Sequence, residues 1–186
     1  MLATKTLQHQ KVERRDDILT DATLDGELII VRRVKQSDVS LIDEMHQRLS
    51  NDSIYYRYLG PCKPTLDDLQ NLCEMDPESC VSVVAVVGES QEKVIAMACY
   101  RVKPENPSTA EPAILVEDSY QGRGLGKQMF ITLCQHAYQR GVETFESFTH
   151  PANRGVLFLI KACGLSYDVR FNQGLREIVV RLEPSP

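Results

Sequence analysis

No stretch of the 186-residue chain is apolar for long enough to cross a bilayer, and Met1 to Gln10 is mostly polar. Neither a membrane anchor nor a signal peptide is expected. The six cysteines (Cys62, Cys73, Cys80, Cys99, Cys134, Cys163) form no C-x-x-C pair, and His9, His46, His136 and His150 are scattered without ligand spacing. A metal site is therefore not expected, whereas buried reduced thiols are, and with them a cytoplasmic location. A basic surplus is also missing: 21 Lys plus Arg stand against 26 Asp plus Glu, a net charge of −5. That balance disfavours nonspecific nucleic-acid binding and suits cationic substrates such as amines. Internal repeats and low-complexity blocks are absent, and the length fits one domain that buries on the order of 70% of its unfolded surface.

What is present reads as alternating structure. Residues 1–25 carry mixed charge and little hydrophobic periodicity, which predicts an arm or a short helix, with the main domain over residues 26–186. Glu27 to Val34 is rich in Ile and Val and predicts a strand. Ser37-Asp38 opens a helix with Val39, Leu41, Ile42, Met45 and Leu49 on one face. Ile54 to Leu59, with three tyrosines near Arg57, reads as an amphipathic turn covering the core edge or as a substrate-contacting loop, ahead of the break at Gly60-Pro61. Thr65 opens a second helix, with Asp68 three residues on and Leu66, Leu69 and Leu72 facing inward. Three stretches, Cys80 to Val87, Val94 to Val102 and Thr109 to Glu117, predict an antiparallel meander. Further on come a helix ending near Gly141, a strand over Val142 to Thr149, a helix over Asn153 to Cys163 and a hairpin from Ser166 to Leu182.

The most informative segment is Gln121-Gly122-Arg123-Gly124-Leu125-Gly126-Lys127, between the apolar run Ala113 to Val116 and a helix in which Leu125, Met129, Leu133 and Ala137 recur at i+4. Glycines remove the Cβ atoms that would hold a phosphate off the backbone, and a helix starting near Gly124 offers free amides at the positive end of its dipole. Spacing separates the phosphate loops. A dinucleotide fingerprint fails because Lys127 stands where its third glycine belongs. A Walker loop fails at Gln121 and at Gln128, where a glycine and a hydroxyl are required.

Gln121, Gly124 and Gly126 fill the pattern [Q/R]-x-x-G-x-[G/A], which resembles the coenzyme A loop of the GNAT N-acetyltransferase superfamily. Arg48-Leu49-Ser50, Tyr55 to Pro61, and Asn153-Arg154 followed by Leu157, Leu159, Lys161 and Gly164 are similar to the Pat-type protein lysine acetyltransferase domains of bacteria. The resemblance covers residues 27–183. It implies an α/β (α+β) GNAT fold: a mixed, mostly antiparallel sheet of about seven strands flanked by about four helices. It implies acetyl-CoA as cosubstrate, held by Leu115, Val116, Gln121, Gly122, Arg123, Gly124, Leu125, Gly126, Lys127 and Asn153. The Val116 N–H is the expected donor to the thioester oxygen. Asn153 also reads as a simple N-cap, and Lys127 and Lys161 as phosphate partners or solvated charges.

The implied chemistry is direct attack by a primary amine, a protein lysine by resemblance, in a ternary complex. An alkylamine is neutral in only about 1 molecule in 2,500 at pH 7, so a base is needed. Glu111, in the pair Ala110-Glu111, matches the Pat-type base. Pro112 departs from the pattern by removing a ladder donor, which a bulge or a strand start would accommodate. Glu117 and Asp118 would repel phosphates and read as structural. Phe158 occupies the neighbourhood of the usual acid and cannot donate. A small amine or amino acid is an alternative acceptor. An acyl-CoA sensor without catalysis is an alternative of another class, and a homodimer is compatible with either.

Overall fold

In the computed structural model, which describes residues 18–88 and 91–183, hydrophobic patterning places the strands where β-branched residues cluster. β3 (Cys80–Val87) is buried at every position, as a strand covered on both faces must be. Around it lie β1 (Ile18–Leu24), β2 (Glu27–Arg33), β4 (Lys93–Lys103), β5 (Asn106–Val116), β6 (Thr144–Thr149), β7 (Tyr167–Asn172) and β8 (Leu175–Arg181). The sheet order is β1-β2-β3-β4-β5-β6-β8-β7, and every pairing is antiparallel except β5 with β6. The mixed, mostly antiparallel sheet and its three-strand meander are as expected. The helices are α1 (Val39–Arg48), α2 (Asn51–Tyr58), α3 (Leu66–Glu74), α4 (Leu125–Gln139) and α5 (Gly155–Ala162).

The described residues hold eight strands and five helices, one more of each than the sequence suggested. The extra strand is β1, inside the stretch read as an arm or short helix; residues 1–17 lie outside the described residues. Asp25 and Gly26 both take positive φ, 52° and 87°, and this Asp-Gly pair is a two-residue hairpin signal that the mixed charge obscured. The extra helix is α2, read as a turn. Ser50 caps it by accepting the Ser53 N–H at 3.2 Å, and Leu59 ends it in the left-handed region. At α3 the Thr65–Asp68 capping box forms as expected, but only Leu69 is fully buried, and Leu66 is 58% exposed because it sits on the first, outward turn. α5 starts two residues later than predicted, at Gly155, with Arg154 and not Asn153 as its N-cap.

Two apolar layers sandwich the sheet. α4 and α5 cover one face through Leu125, Met129, Leu133, Ala137 and Ile160, against Ala96, Ala98, Tyr100, Ala110 and Phe145. α1 to α3 cover the other through Ile42, Met45, Ile54 and Leu69, against Val84, Val86, Met97 and Leu115. Each fully buried Val, Leu or Ile side chain contributes about 1.5–3 kcal/mol. The second layer reaches no farther than β5, so the same face of β6, β8 and β7 carries no packed helix among the described residues.

Each layer holds one histidine, His46 buried and His136 half-buried. His46 donates from Nδ1 to the Ile42 carbonyl and accepts the Tyr58 hydroxyl at Nε2, both at 2.7 Å. His136 accepts the Arg33 guanidinium at Nε2 (2.8 Å), which leaves its ring proton on Nδ1, 2.9 Å from the Tyr100 hydroxyl. Burial lowers the pKa of both, and nearby arginines add to the effect. A group depressed on folding keeps its stabilising contribution above its unfolded pKa, about 6.5 for histidine, and loses it as pH falls, because the unfolded chain then binds protons that the native one refuses. The urea midpoint should therefore drop between pH 7.5 and pH 5.5, and the drop should shrink in a His46→Gln, His136→Gln double variant; equal drops in both proteins would assign the acid sensitivity elsewhere.

Candidate active site

The glycine loop follows β5 and a single 3-10 turn, Asp118–Tyr120. Gly122 and Gly124 adopt φ of 72° and 92°, in the region that favours glycine. A Cβ placed on either would meet nothing within 4 Å, so both hydrogens face open space that an anion can approach. Gly124 is the N-cap of α4, as expected, and the first bond to its carbonyl comes from Gln128 at 3.1 Å. The amides of Leu125, Gly126 and Lys127 thus have no intrahelical acceptor and lie at the positive end of a 15-residue helix. Gly126 is different. Its Cβ would make ordinary contacts with Val116 and Leu159, at 3.7 and 3.9 Å.

A second set of free amides follows from the phase of β5. Glu117 donates to the Ile95 carbonyl at 2.8 Å, which makes Ile95 and Glu117 a hydrogen-bonded antiparallel pair. Pairs alternate along the ladder, and the register runs without a shift from Ala110 to Val116. Leu115, Ala113 and Glu111 are thus bonded to β4, while Pro112, Ile114 and Val116 turn their backbone groups away from it. On that other side β6 pairs only with Thr109 and Ala110. Beyond them the strands part, and the Ile114 and Val116 amides face the gap. No bulge is needed for Pro112, whose missing donor falls where the ladder has already ended.

That phase redistributes the expected contacts. Val116 is presented as anticipated; Leu115 is not, since its amide is bonded toward Met97 and its side chain lies in the second apolar layer. Ile114 takes its place. Gln121 turns inward: its Nε2 donates to the Val116 carbonyl at 2.9 Å and to Ser53 Oγ at 3.1 Å, so its side chain orients the strand end and ties it to α2. Arg123 donates to Asp25 and stacks on Tyr120, Lys127 is exposed, and the Leu125 side chain is buried under the loop. Asn153 precedes the α5 cap, with its carbonyl held by Arg176 at 3.1 Å. Phe158 is 70% exposed.

The carboxylates beside the loop are structural, as read from sequence. Glu117 accepts Arg48 Nε and Lys93 Nζ, each at 2.9 Å. Burial pushes its carboxyl up, but the two cations outweigh that and hold it below the usual range. Asp118 accepts the backbone and hydroxyl of Ser50 and the hydroxyl of Ser53. Burial acts upward on it too, and these donors more than compensate. Together they fasten the α1–α2 junction to the loop.

Glu111 is exposed and faces the α1–α3 side, sharing it with Ala113 and Leu115 as alternation predicted. At five residues from Val116 it lies about 16 Å along the strand, but only about 10 Å from Ile114. By the same alternation, Phe148 and His150 of the β6 end share this side, opposite the buried Phe145. The Tyr55 and Tyr56 rings of α2 meet His150 with centroids 5.5 and 6.1 Å away. This aromatic group bridges the parted strands, and Tyr56 sits one helical turn from Ser53, which touches Gln121. Sequence reading set the tyrosines of 54–59 between a core-edge turn and a substrate-contacting loop and singled out neither Ile114 nor His150; only the phase set by Pro112 signalled Ile114.

The sequence profile of the "Acetyltransferase (GNAT) family" matches residues 44–165. An acetyltransferase of Pseudomonas aeruginosa is 28% identical over 144 residues, 75% of this chain and 76% of that protein. The acetyltransferase Pat of Mycolicibacterium smegmatis is 32% identical over 122 residues, 66% of this chain and only 36% of that one. Among solved structures, the GNAT domain of S. lividans PAT aligns with a TM-score of 0.79 at 24% identity, over 88% of this chain and 96% of the domain. A Salmonella typhimurium acetyltransferase solved with acetyl-CoA aligns with a TM-score of 0.64 at 17% identity, over 84% of this chain and 94% of that one. The chain belongs to the GNAT acetyltransferase family.

Proposed function

We propose that the protein moves an acetyl group from acetyl-CoA to a protein lysine by direct attack, with Glu111 as the base. The observation that carries this reading is the phase of β5: two main-chain amides face an unpaired gap that opens at a glycine anion cradle, and a carboxylate lies farther along the same strand. These residues fit the coenzyme: the amides of 124–127 and their helix dipole would take its diphosphate, and the β5 edge its amide-bearing arm. When bound, acetyl-CoA supplies an activated acyl thioester.

The chain's own groups do the rest. Ile114 and Val116 donate N–H bonds into the gap, where they are placed to polarise an acyl oxygen; such preorganised donors are worth about 3–4 kcal/mol each in other enzymes. Glu111 takes a proton from the incoming ammonium, directly or through water. The uncovered face of β6, β8 and β7, with Phe148 exposed on it, leaves room for an extended acceptor beside the Tyr55–Tyr56–His150 group, and the resemblance of Tyr55 to Pro61 and Asn153-Arg154 to Pat-type protein lysine acetyltransferase domains favours a lysine in that role. A reducing cytoplasm is in keeping with six unpaired cysteines.

Thiol release from acetyl-CoA should depend on added lysine peptide more than on small amines; release equal across an amine panel would remove the protein acceptor. Glu111→Gln should lower kcat by about 10²-fold or more with little change in the acetyl-CoA KM, and unchanged turnover would remove Glu111 as base. In coenzyme A titrations, Gly124→Ala should weaken binding about tenfold, because an L-residue at positive φ costs about 1–2 kcal/mol. Gly126→Ala should stay within about twofold of wild type, since ordinary van der Waals contacts carry no penalty; the reverse order would contradict the cradle.

A further inference from the structure

Arg123 is flanked by Gly122 and Gly124, both at positive φ, so the residue between them has little local restraint of its own. Its side chain supplies one. The guanidinium donates from Nε (2.9 Å) and NH2 (2.6 Å) to Asp25 Oδ2, and from NH1 to the Ser119 carbonyl at 3.4 Å. It lies 5.0 Å from the centre of the Tyr120 ring. The Tyr120 hydroxyl in turn donates to Glu27 at 3.2 Å. Asp25 and Glu27 flank Gly26 in the β1–β2 turn, so the hairpin grips the loop from outside at two points. Elsewhere that approach is not tightly packed: a cavity of ≈180 Å³ bordered by Thr23, Leu24, Ile29, Gly124 and Gln128 lies between the hairpin and the loop.

All three guanidinium nitrogens thus face protein acceptors. We propose that Asp25 and Tyr120 are positioning residues that hold Arg123, and through it the diphosphate loop, in its donor-binding conformation before the donor arrives. The inference rests on the reading of this loop as the coenzyme A site. Its physical content is preorganisation: a glycine-rich segment that must be ordered on binding loses affinity, and a tether made beforehand removes that loss.

The competing role predicts the opposite sign. If Arg123 were a phosphate ligand withheld by Asp25, freeing it would strengthen binding. Asp25→Asn keeps the turn, because Asn tolerates positive φ, and keeps the charge of Arg123. For Asp25→Asn and for Tyr120→Leu, coenzyme A should bind about two- to fivefold more weakly, the range expected of an exposed ion pair or cation–π contact. The acetyl-CoA KM should rise in step while kcat and the acceptor KM stay unchanged. In the ligand-free protein, hydrogen exchange at the amides of residues 121–126 should be faster in both variants. Tighter binding by Asp25→Asn would overturn the proposal, as would unchanged exchange together with unchanged affinity. Failure of the wild-type chain itself to bind coenzyme A would remove the reading of the loop, and this inference with it.

Discussion

A strand that contains a proline can complete its ladder on only one side at that residue. β5 holds two prolines, Pro107 near its start and Pro112 midway, and it is Pro112 that shares its phase with Ile114 and Val116. Toward β4 the bonded pairs fall on Glu111, Ala113 and Leu115, so nothing is lost there. Toward β6 no donor exists at 112, and the pairing has already ended at Ala110. The amides that line the gap and the side of the sheet that Glu111 faces follow from the alternation of an antiparallel ladder, and Pro112 fits because its missing N–H falls on the unpaired side.

The two halves of the site are held together by polar contacts as well as by the second apolar layer, in which Ile54 of α2 packs with Leu115 of β5. Gln121 bonds both the Val116 carbonyl and Ser53, while Asp118 bonds Ser50 and Ser53. The segment that leads into the glycine loop is therefore also the anchor of α2, whose tyrosines meet His150. Glu117, clasped by Arg48 and Lys93, fixes the same junction from below. These carboxylates carry no bare charge toward the cradle, which resolves the conflict of acidic residues beside a phosphate site.

Much of this was legible in the sequence where a single physical requirement governs a position. The glycine spacing, the cap at Gly124, the Thr65–Asp68 box, the meander and the shared face of Glu111 and Leu115 each follow from a local rule. The misses have causes of equal clarity. Asp25-Gly26 was masked by charged neighbours, and Ser50 was passed over as a cap. Leu115 was placed among the coenzyme A contacts, whereas the ladder's phase turns its backbone to β4, a phase that Pro112 marks in the sequence. The roles of Gln121 and Arg123 depend on Ser53 and Asp25, tens of residues away, and no local pattern reports such partners.

The proposed donor side is built mainly of main-chain amides, and main-chain amides are the same for every residue but proline. Substitution can proceed around them, provided the glycines keep their φ angles, without altering what the cradle recognises. The proposed acceptor side is built of side chains, from Glu111 to Tyr56 and His150, and each replacement there changes the chemistry on offer. Such a protein is free to drift in what it modifies while remaining fixed in what it draws on, which makes lineage legible at one end of the gap and individual at the other.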